Sequence, residues 1–309
     1  MASDFPDIRV RVPASTANLG PGFDAFGMAL TVYNAFTVQA TTGESEVTVT
    51  GEGETELSHA ADNLFLHAFA RGFSEAGESP PAISLHMQND IPLYRGLGSS
   101  ASATVGGLVA ANHMLEKSLS EEKLLQLACD IEGHPDNVAA ALFGGLIVCA
   151  AEGGDIPAYA RIPVPPNLHA VVCVPDQHLP TELARSVVPQ EVSLGDAVFS
   201  VGRAALLLTG IMQSNEESIR AGMQDRLHQP YRATIFPAMQ PIMDAALAAG
   251  ACGSALSGAG SSILALTFRN PDAIAAAMLA AAYAHDTPAR SLILSCAEHG
   301  ASVVPLDLG

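Results

Sequence analysis

The chain has 309 residues, 49% hydrophobic and 15% charged, which allows one or two packed domains and excludes a disordered or low-complexity protein. The formal net charge is −18 with only two lysines, Lys117 and Lys123, so neither a nucleic acid nor an anionic membrane surface is an expected partner. A polyanionic small ligand would have to be met locally, by backbone N–H groups, a few arginines and a metal ion.

In chain order, residues 8–12 (IRVRV) alternate and predict a strand. Residues 15–27 read as a turn-rich loop, and 30–40 and 46–50 as strands. Residues 62–77 carry an Asp start, helical apolar spacing and a Gly stop, a helix. Residues 82–90 alternate again as a strand. From Ser99 or Ser100 to about Leu115 a helix of small residues follows, and 120–133 opens on a capping Ser120 as another. Strands are expected at 145–150 and 158–175. Residues 180–250 read as mainly helical, broken at Pro230 and Pro237. Residues 253–268 form strand, glycine turn, strand; 270–286 is an alanine-rich helix; 291–296 and 301–306 are closing strands. The uncharged stretch 245–268 holds four glycines and four serines, which predicts turns between buried strands and not a membrane span. Strands do not alternate one-for-one with helices, so the class is α+β, with units expected at 1–174 and 175–309. Five scattered cysteines without a C-x-x-C pair read as free thiols of a reducing compartment. Residues 1–6 lack the regions of a secretory signal, and the expected location is cytoplasmic.

The segment PLYRGLGSSAS (92–102) carries the clearest chemistry. It is glycine-rich and feeds directly into a helix, whose N-terminus presents free N–H groups and a partial positive charge. Glycine lets those groups close on phosphate oxygens. The lysine-bearing phosphate loop G-x-x-x-x-G-K-[ST] is absent, as is a strand followed by G-x-G-x-x-G. Alone, the segment is also compatible with a structural glycine turn.

The form Pro, three residues, Gly-Leu-Gly-Ser-Ser closely resembles the hallmark motif of the GHMP kinase superfamily. VRVPASTANLGPGFDAFGMAL (10–30) resembles the N-terminal motif of its homoserine kinase branch. GSALSGAGSSILAL (253–266) resembles the C-terminal glycine-rich motif, and DIEGHPDNVAAALFGGL (130–146) and DRLHQPYRATIFP (225–237) agree. The likeness runs nearly the whole chain, in order. It departs at Ala140 and Ser261, where prolines are common.

The resemblance implies an N-terminal domain like ribosomal protein S5 domain 2 and a ferredoxin-like C-terminal α+β domain. It implies transfer of the ATP γ-phosphoryl group, with Mg2+, to the side-chain hydroxyl of L-homoserine in threonine biosynthesis. Pro92, Arg95, Gly96, Leu97, Gly98, Ser99, Ser100, Ala101 and Ser102 would form the nucleotide loop. Asn63 would lie near the base, although a helix cap shared with Asp62 explains it equally. Ser100 and Glu132 would hold the metal, a hard cation that takes oxygen ligands. Asn18 and Asp24 would bind the substrate, Asp24 through its ammonium, and Arg185 and Arg232 would take its carboxylate, with Arg226 close enough to be confused with Arg232. Asn137 would orient the reacting hydroxyl beside Thr181, with Asp136 as a rival base. His134 has no second His or Cys at ligand spacing and carries no metal role. A homodimer is carried over from the family. The competing readings are a GHMP kinase for another small alcohol, such as mevalonate, shikimate or a sugar, and a non-catalytic nucleotide-binding regulator on the same fold.

Overall fold

The computed structural model describes residues 5–57, 62–150 and 158–306. The first unit is built on one long antiparallel hairpin, β1 (Ile8–Asn18) and β2 (Gly22–Thr41). The expected loop at 15–27 is therefore mostly strand, with only residues 19–21 left as the turn. Its polar residues hid the strand: Ser15, Thr16 and Asn18 are buried, and each finds a hydrogen-bond partner on another segment. Asn18 and Leu19 take left-handed φ values of 70° and 47° to reverse the chain.

β3 (Glu46–Gly51) pairs in parallel with β4 (Ala82–Asn89), and the helix α1 (Leu64–Glu75) connects them. Asn63, not Asp62, caps α1: its Oδ1 accepts from the N–H of Leu66 at 3.2 Å. α2 (Ser99–Met114), α3 (Glu121–Glu132) and α4 (Asp136–Phe143) pack with α1 over the sheet. There Val10, Val12, Phe36 and Val38 meet the phenylalanines of α1 and the small residues of α2. β5 (Leu146–Ala150) pairs with residues 26–28 of β2 and with β6 (Ala158–Ile162).

The second sheet begins at β7 (His169–Pro175). The sheets thus change over between Ile162 and His169, and a boundary at Val174 lies inside β7. Five helices follow: α5 (Thr181–Ser186), α6 (Leu194–Met212), α7 (Glu216–Gly222), α8 (Gln229–Arg232) and α9 (Met239–Ala248). Then come β8 (Gly253–Leu256), β9 (Ile263–Thr267), α10 (Pro271–Ala284) and β10 (Ala289–Ser295). The antiparallel order β10-β7-β9-β8, with α9 and α10 on one face, is the ferredoxin-like β-α-β-β-α-β arrangement expected for this half. β7 reads as an unbroken apolar run because both its faces are covered. Val171 and Cys173 point to α9 and α10, whereas Val172 and Val174 share a core with Met28, Leu30 and Leu97 of the first unit. β11 (Ser302–Val304) returns to pair with β1. α6 is long and apolar enough to cross a membrane by length and composition alone. Its inner side chains Leu207 and Ile211 are buried against α7.

The helix pair behind the glycine-rich loop at 92–98 depends on close contact. A Cβ at Gly107 of α2 would lie 2.3 Å from the carbonyl oxygen of Phe65 in α1. Alanine normally favours a helix over glycine by up to about 1 kcal/mol. Here Gly107→Ala is expected to destabilise by about 1–3 kcal/mol, because backbone must move. Thermal denaturation checks the sign.

Candidate active site

A cavity of roughly 420 Å3 opens between the two units. The first wall is the loop ahead of α2. Gly98 is the cap residue of that helix, at φ 69°, with Gly96 at φ 70°. Both glycines are required. A Cβ at Gly96 would lie 2.1 Å from the Ser257 carbonyl oxygen, and one at Gly98 2.0 Å from Ser15 Oγ. The first backbone N–H groups of α2 have no partner within the helix and provide a seat for an anion.

Gly96, Leu97, Gly98, Ser99 and Ser100 all line the cavity. Pro92, Ala101 and Ser102 do not: all three are buried behind the wall, and Ser102 Oγ has no hydrogen-bond partner among the described residues. Arg95 lines the wall, but its guanidinium is turned to backbone. It donates to the carbonyls of Leu93, Pro175 and Asp176 at 3.2, 2.7 and 2.7 Å, and so fastens the loop to the second unit. Burial pulls its pKa below the ordinary arginine value.

At the head of α2, Ser100 Oγ donates to one carboxylate oxygen of Glu132 at 2.8 Å, and Thr104 Oγ1 donates to the other at 2.7 Å. Thr104, one turn beyond Ser100 on the same helix face, was not singled out from sequence. No group of three or more His, Cys, Asp or Glu side chains is placed to hold a metal ion among the described residues. A carboxylate and a hydroxyl that share a hydrogen bond still suit Mg2+, which takes few protein ligands and fills its shell with phosphate and water oxygens. At the far end, Asn63 uses its amide on the α1 cap and, through Nδ2, on the Met87 sulfur at 3.3 Å. Asn89 lines the same wall, with its Oδ1 buried and unpartnered.

Opposite the loop lies a charged group. Arg185 of α5 forms a two-pronged salt bridge with Asp24, Nη1 to Oδ2 at 2.9 Å and Nη2 to Oδ1 at 2.8 Å. Arg232, 2% exposed, stands beside it. Its Nε donates to the Ala184 carbonyl at 3.0 Å, and its Nη1 to the Gly258 carbonyl at 2.8 Å and His228 Nδ1 at 3.1 Å. Burial first, then the neighbouring charge of Arg185, pulls its pKa down to about 10. It is still cationic at neutral pH. Arg226 is remote from this group and pairs on the surface with Asp196. Asn18 reaches the wall, but its amide is engaged at both ends, with the Gly258 carbonyl and the Asp24 N–H, each at 3.0 Å. It holds Asp24 in place.

Between the loop and the charges sits the first turn of α4. Asp136 is 2% exposed, and its Oδ1 accepts from the Asn137 N–H at 2.7 Å, Asn137 Nδ2 at 3.2 Å and His134 Nδ1 at 2.8 Å. Asn137 Oδ1 accepts from Ser15 Oγ at 2.9 Å. Burial lowers the His134 pKa, but its hydrogen bond and charge contact with Asp136 raise it further, for a net shift upward. Thr181 opens α5 on the same cavity. The sequence motif marked this region, but the His134–Asp136 contact needs the fold.

A helix-borne anion seat, a metal-suited hydroxyl–carboxylate pair and a charged pocket in one cavity describe a kinase of small metabolites. The chain matches the GHMP kinases N terminal domain over residues 63–145 and the GHMP kinases C terminal domain over 205–285. It is 43% identical to a homoserine kinase of Synechococcus sp. over 300 residues, covering 96% of this chain and 97% of the relative. It is 40% identical to the homoserine kinase of Desulfitobacterium hafniense, covering 96% and 100%. The crystal structure of homoserine kinase from Cytophaga hutchinsonii superimposes with a TM-score of 0.86 at 29% identity, over 98% of this chain and 99% of that one. The chain belongs to the homoserine kinase family of GHMP kinases.

The buried His228 beside Arg232 makes acid stability a test of the site's packing. Burial pushes its pKa down to about 4. Between the unfolded value near 6.5 and about 4, the unfolded chain binds a proton that the folded chain refuses, so stability falls as pH falls. Denaturant unfolding at pH 7, 6, 5 and 4.5 is expected to show that loss in the wild type and a shallower loss in His228→Asn.

Proposed function

We propose that the protein transfers the γ-phosphoryl group of ATP to the side-chain hydroxyl of L-homoserine, giving O-phospho-L-homoserine. The observation that carries this reading is the Asp24–Arg185 fork beside the buried Arg232. A zwitterionic amino acid needs both charge signs in one pocket. Its ammonium takes Asp24, and its carboxylate takes Arg185 and Arg232. The fork's mutual bonds are exchanged for bonds to the substrate, so no charge is left unpaired. The named relatives are consistent with that substrate. A cytoplasmic place in threonine biosynthesis follows from the same reading.

The nucleotide phosphates lie on the amides of residues 96–100, and the Asn89 acceptor and the Asn63 cap belong to the base end. Ser100 and Glu132 would hold Mg2+, which when bound neutralises charge on the β- and γ-phosphate oxygens. Asn137, fixed between Ser15 and Asp136, orients the hydroxyl with Thr181 nearby. An amide takes no proton at neutral pH, so positioning lowers the barrier and the proton leaves late, to phosphate. Asp136 clamps Asn137 and pairs with His134.

Two measurements test this. With Mg-ATP, ADP release is expected with L-homoserine and not with D-homoserine, mevalonate, shikimate or galactose; turnover with one of the last three would keep the kinase and overturn the substrate. Asp136→Asn keeps an acceptor for Asn137 and is expected to retain kcat within about tenfold. A loss of about 10²-fold or more, with the acid limb of the pH–rate profile gone, would make Asp136 the base.

A further inference from the structure

We propose that His228 is the positioning residue of the substrate-carboxylate site: its unprotonated Nδ1 holds the guanidinium of Arg232 in place, and its Nε2–H ties that arginine to the hairpin turn ahead of Asp24. The inference rests on the reading of the substrate as an amino acid.

The tautomer follows from the partners. His228 Nε2 lies 2.9 Å from the carbonyl oxygen of Gly20, which can only accept, so Nε2 carries the hydrogen. Nδ1 is then left to accept from Arg232 Nη1 at 3.1 Å. A proton on Nδ1 would set N–H against N–H beside a cation. The side chain is fully buried, and Asp225 fixes its backbone: the Asp225 carboxylate accepts from the N–H groups of Leu227, His228 and Gln229 at 2.7, 3.0 and 2.7 Å.

Phe23 completes the support. Its ring stacks on the imidazole, centroids 5.2 Å apart at 24°, and the guanidinium carbons of Arg232 and Arg185 lie 5.4 and 5.8 Å from its centroid. Arg232 Nη1 thus spends its two hydrogens on Gly258 and His228, and Nε its one on Ala184. Nη2 makes no hydrogen bond among the described residues and is the edge left for a carboxylate. Without the imidazole acceptor, one hydrogen of a buried cation is unpaired. The guanidinium then turns to satisfy it, and the free edge leaves its direction.

The test compares His228→Asn, His228→Gln and His228→Ala with the wild type on two alcohols, L-homoserine and 3-aminopropan-1-ol, which is homoserine without its carboxylate. Asn carries an acceptor where Nδ1 stood, whereas Gln carries a donor where Nε2 stood and better matches the volume of His. The ratio of kcat/KM between the two alcohols reads the carboxylate site alone. It is expected to fall about tenfold or more in the Gln and Ala variants, the loss of a charge-assisted hydrogen bond, and to be largely kept in Asn. KM for ATP should stay within about twofold of wild type. A ratio unchanged in every variant, or losses equal for both alcohols, or Gln outperforming Asn, would reduce His228 to packing and overturn the inference. A wild type inactive on L-homoserine would overturn the substrate reading and this inference with it; a wild type that is active while its variants keep the ratio overturns the inference alone.

Discussion

The site exists because three backbone turns approach closer than any side chain would allow. The hairpin turn at 19–21, the loop at 95–98 and the glycine turn after β8 meet at the junction of the units. The Cβ position of Gly96 falls within 3.0 Å of Ser257 and Gly260 backbone atoms, and that of Gly20 within 2.3 Å of the Met223 carbonyl oxygen. Hydrogen bonds then fasten the turns. Ser257 Oγ reaches Thr16 Oγ1 at 2.8 Å and the Gly96 carbonyl at 2.6 Å, and the Gly258 N–H reaches the Ala17 carbonyl at 3.1 Å. The anion seat is therefore shaped from both sides: Gly96 is fitted to the glycine turn of the second unit and Gly98 to Ser15 of the first, while the charged pocket draws Asp24 from one unit and both arginines from the other.

That junction resolves an electrostatic difficulty. A protein of net charge −18 must hold a polyphosphate and a carboxylate with two lysines in the whole chain. Here the long-range field repels anions, so binding depends on local dipoles and on cations kept out of water. Each arginine at the site is already solvated by protein. Arg95 faces three carbonyls, Arg232 two carbonyls and an imidazole, and Arg185 a carboxylate. A buried cation without such partners would be costly, and its position would be undefined. Surface pairs such as Arg269–Glu216 are exposed and contribute little beyond charge balance.

What the sequence made legible follows from how local each signal is. The helix starting at Ser99 is announced by the glycines before it, and the ferredoxin-like half by its strand–turn–strand and capped helix. The segment 15–18 was not legible as strand, because its buried polar residues find partners as far along the chain as Asn137, Ser257 and Gly258. The motif marked Asp24, Arg185 and Arg232 as a set, yet nothing in it shows that the first two grip each other. Arg95 and Asn18 stand where the motif puts binding residues and line the cavity, but their polar atoms are spent on backbone. His228 and Phe23 lie inside quoted motif segments that mark no role for them, and Thr104 lies in none; only packing brings them to the charges and to Glu132.

The surroundings of Asp136 bear on how phosphoryl transfer would proceed in this site. A carboxylate whose charged form is well hydrogen-bonded is a weaker general base, because those bonds lose strength as it takes a proton. Oδ1 of Asp136 holds three donors in a place almost closed to water, and one of them, His134, is itself shifted toward its charged form by the contact. A proton taken on Oδ2 would remove the charge that strengthens the three bonds to Oδ1, and so would loosen the hold on His134 and Asn137 together. The same bonds make Asp136 effective as a clamp: they fix both the backbone and the amide of Asn137, whose other end Ser15 holds from β1. Orientation of a bound hydroxyl within reach of an in-line phosphoryl group accounts for a large part of a barrier that a loose transition state already lowers. On the proposed reading, a site that spends buried hydrogen bonds on holding Asn137 still gains its rate from geometry and from charge around the phosphates, with no strong base required.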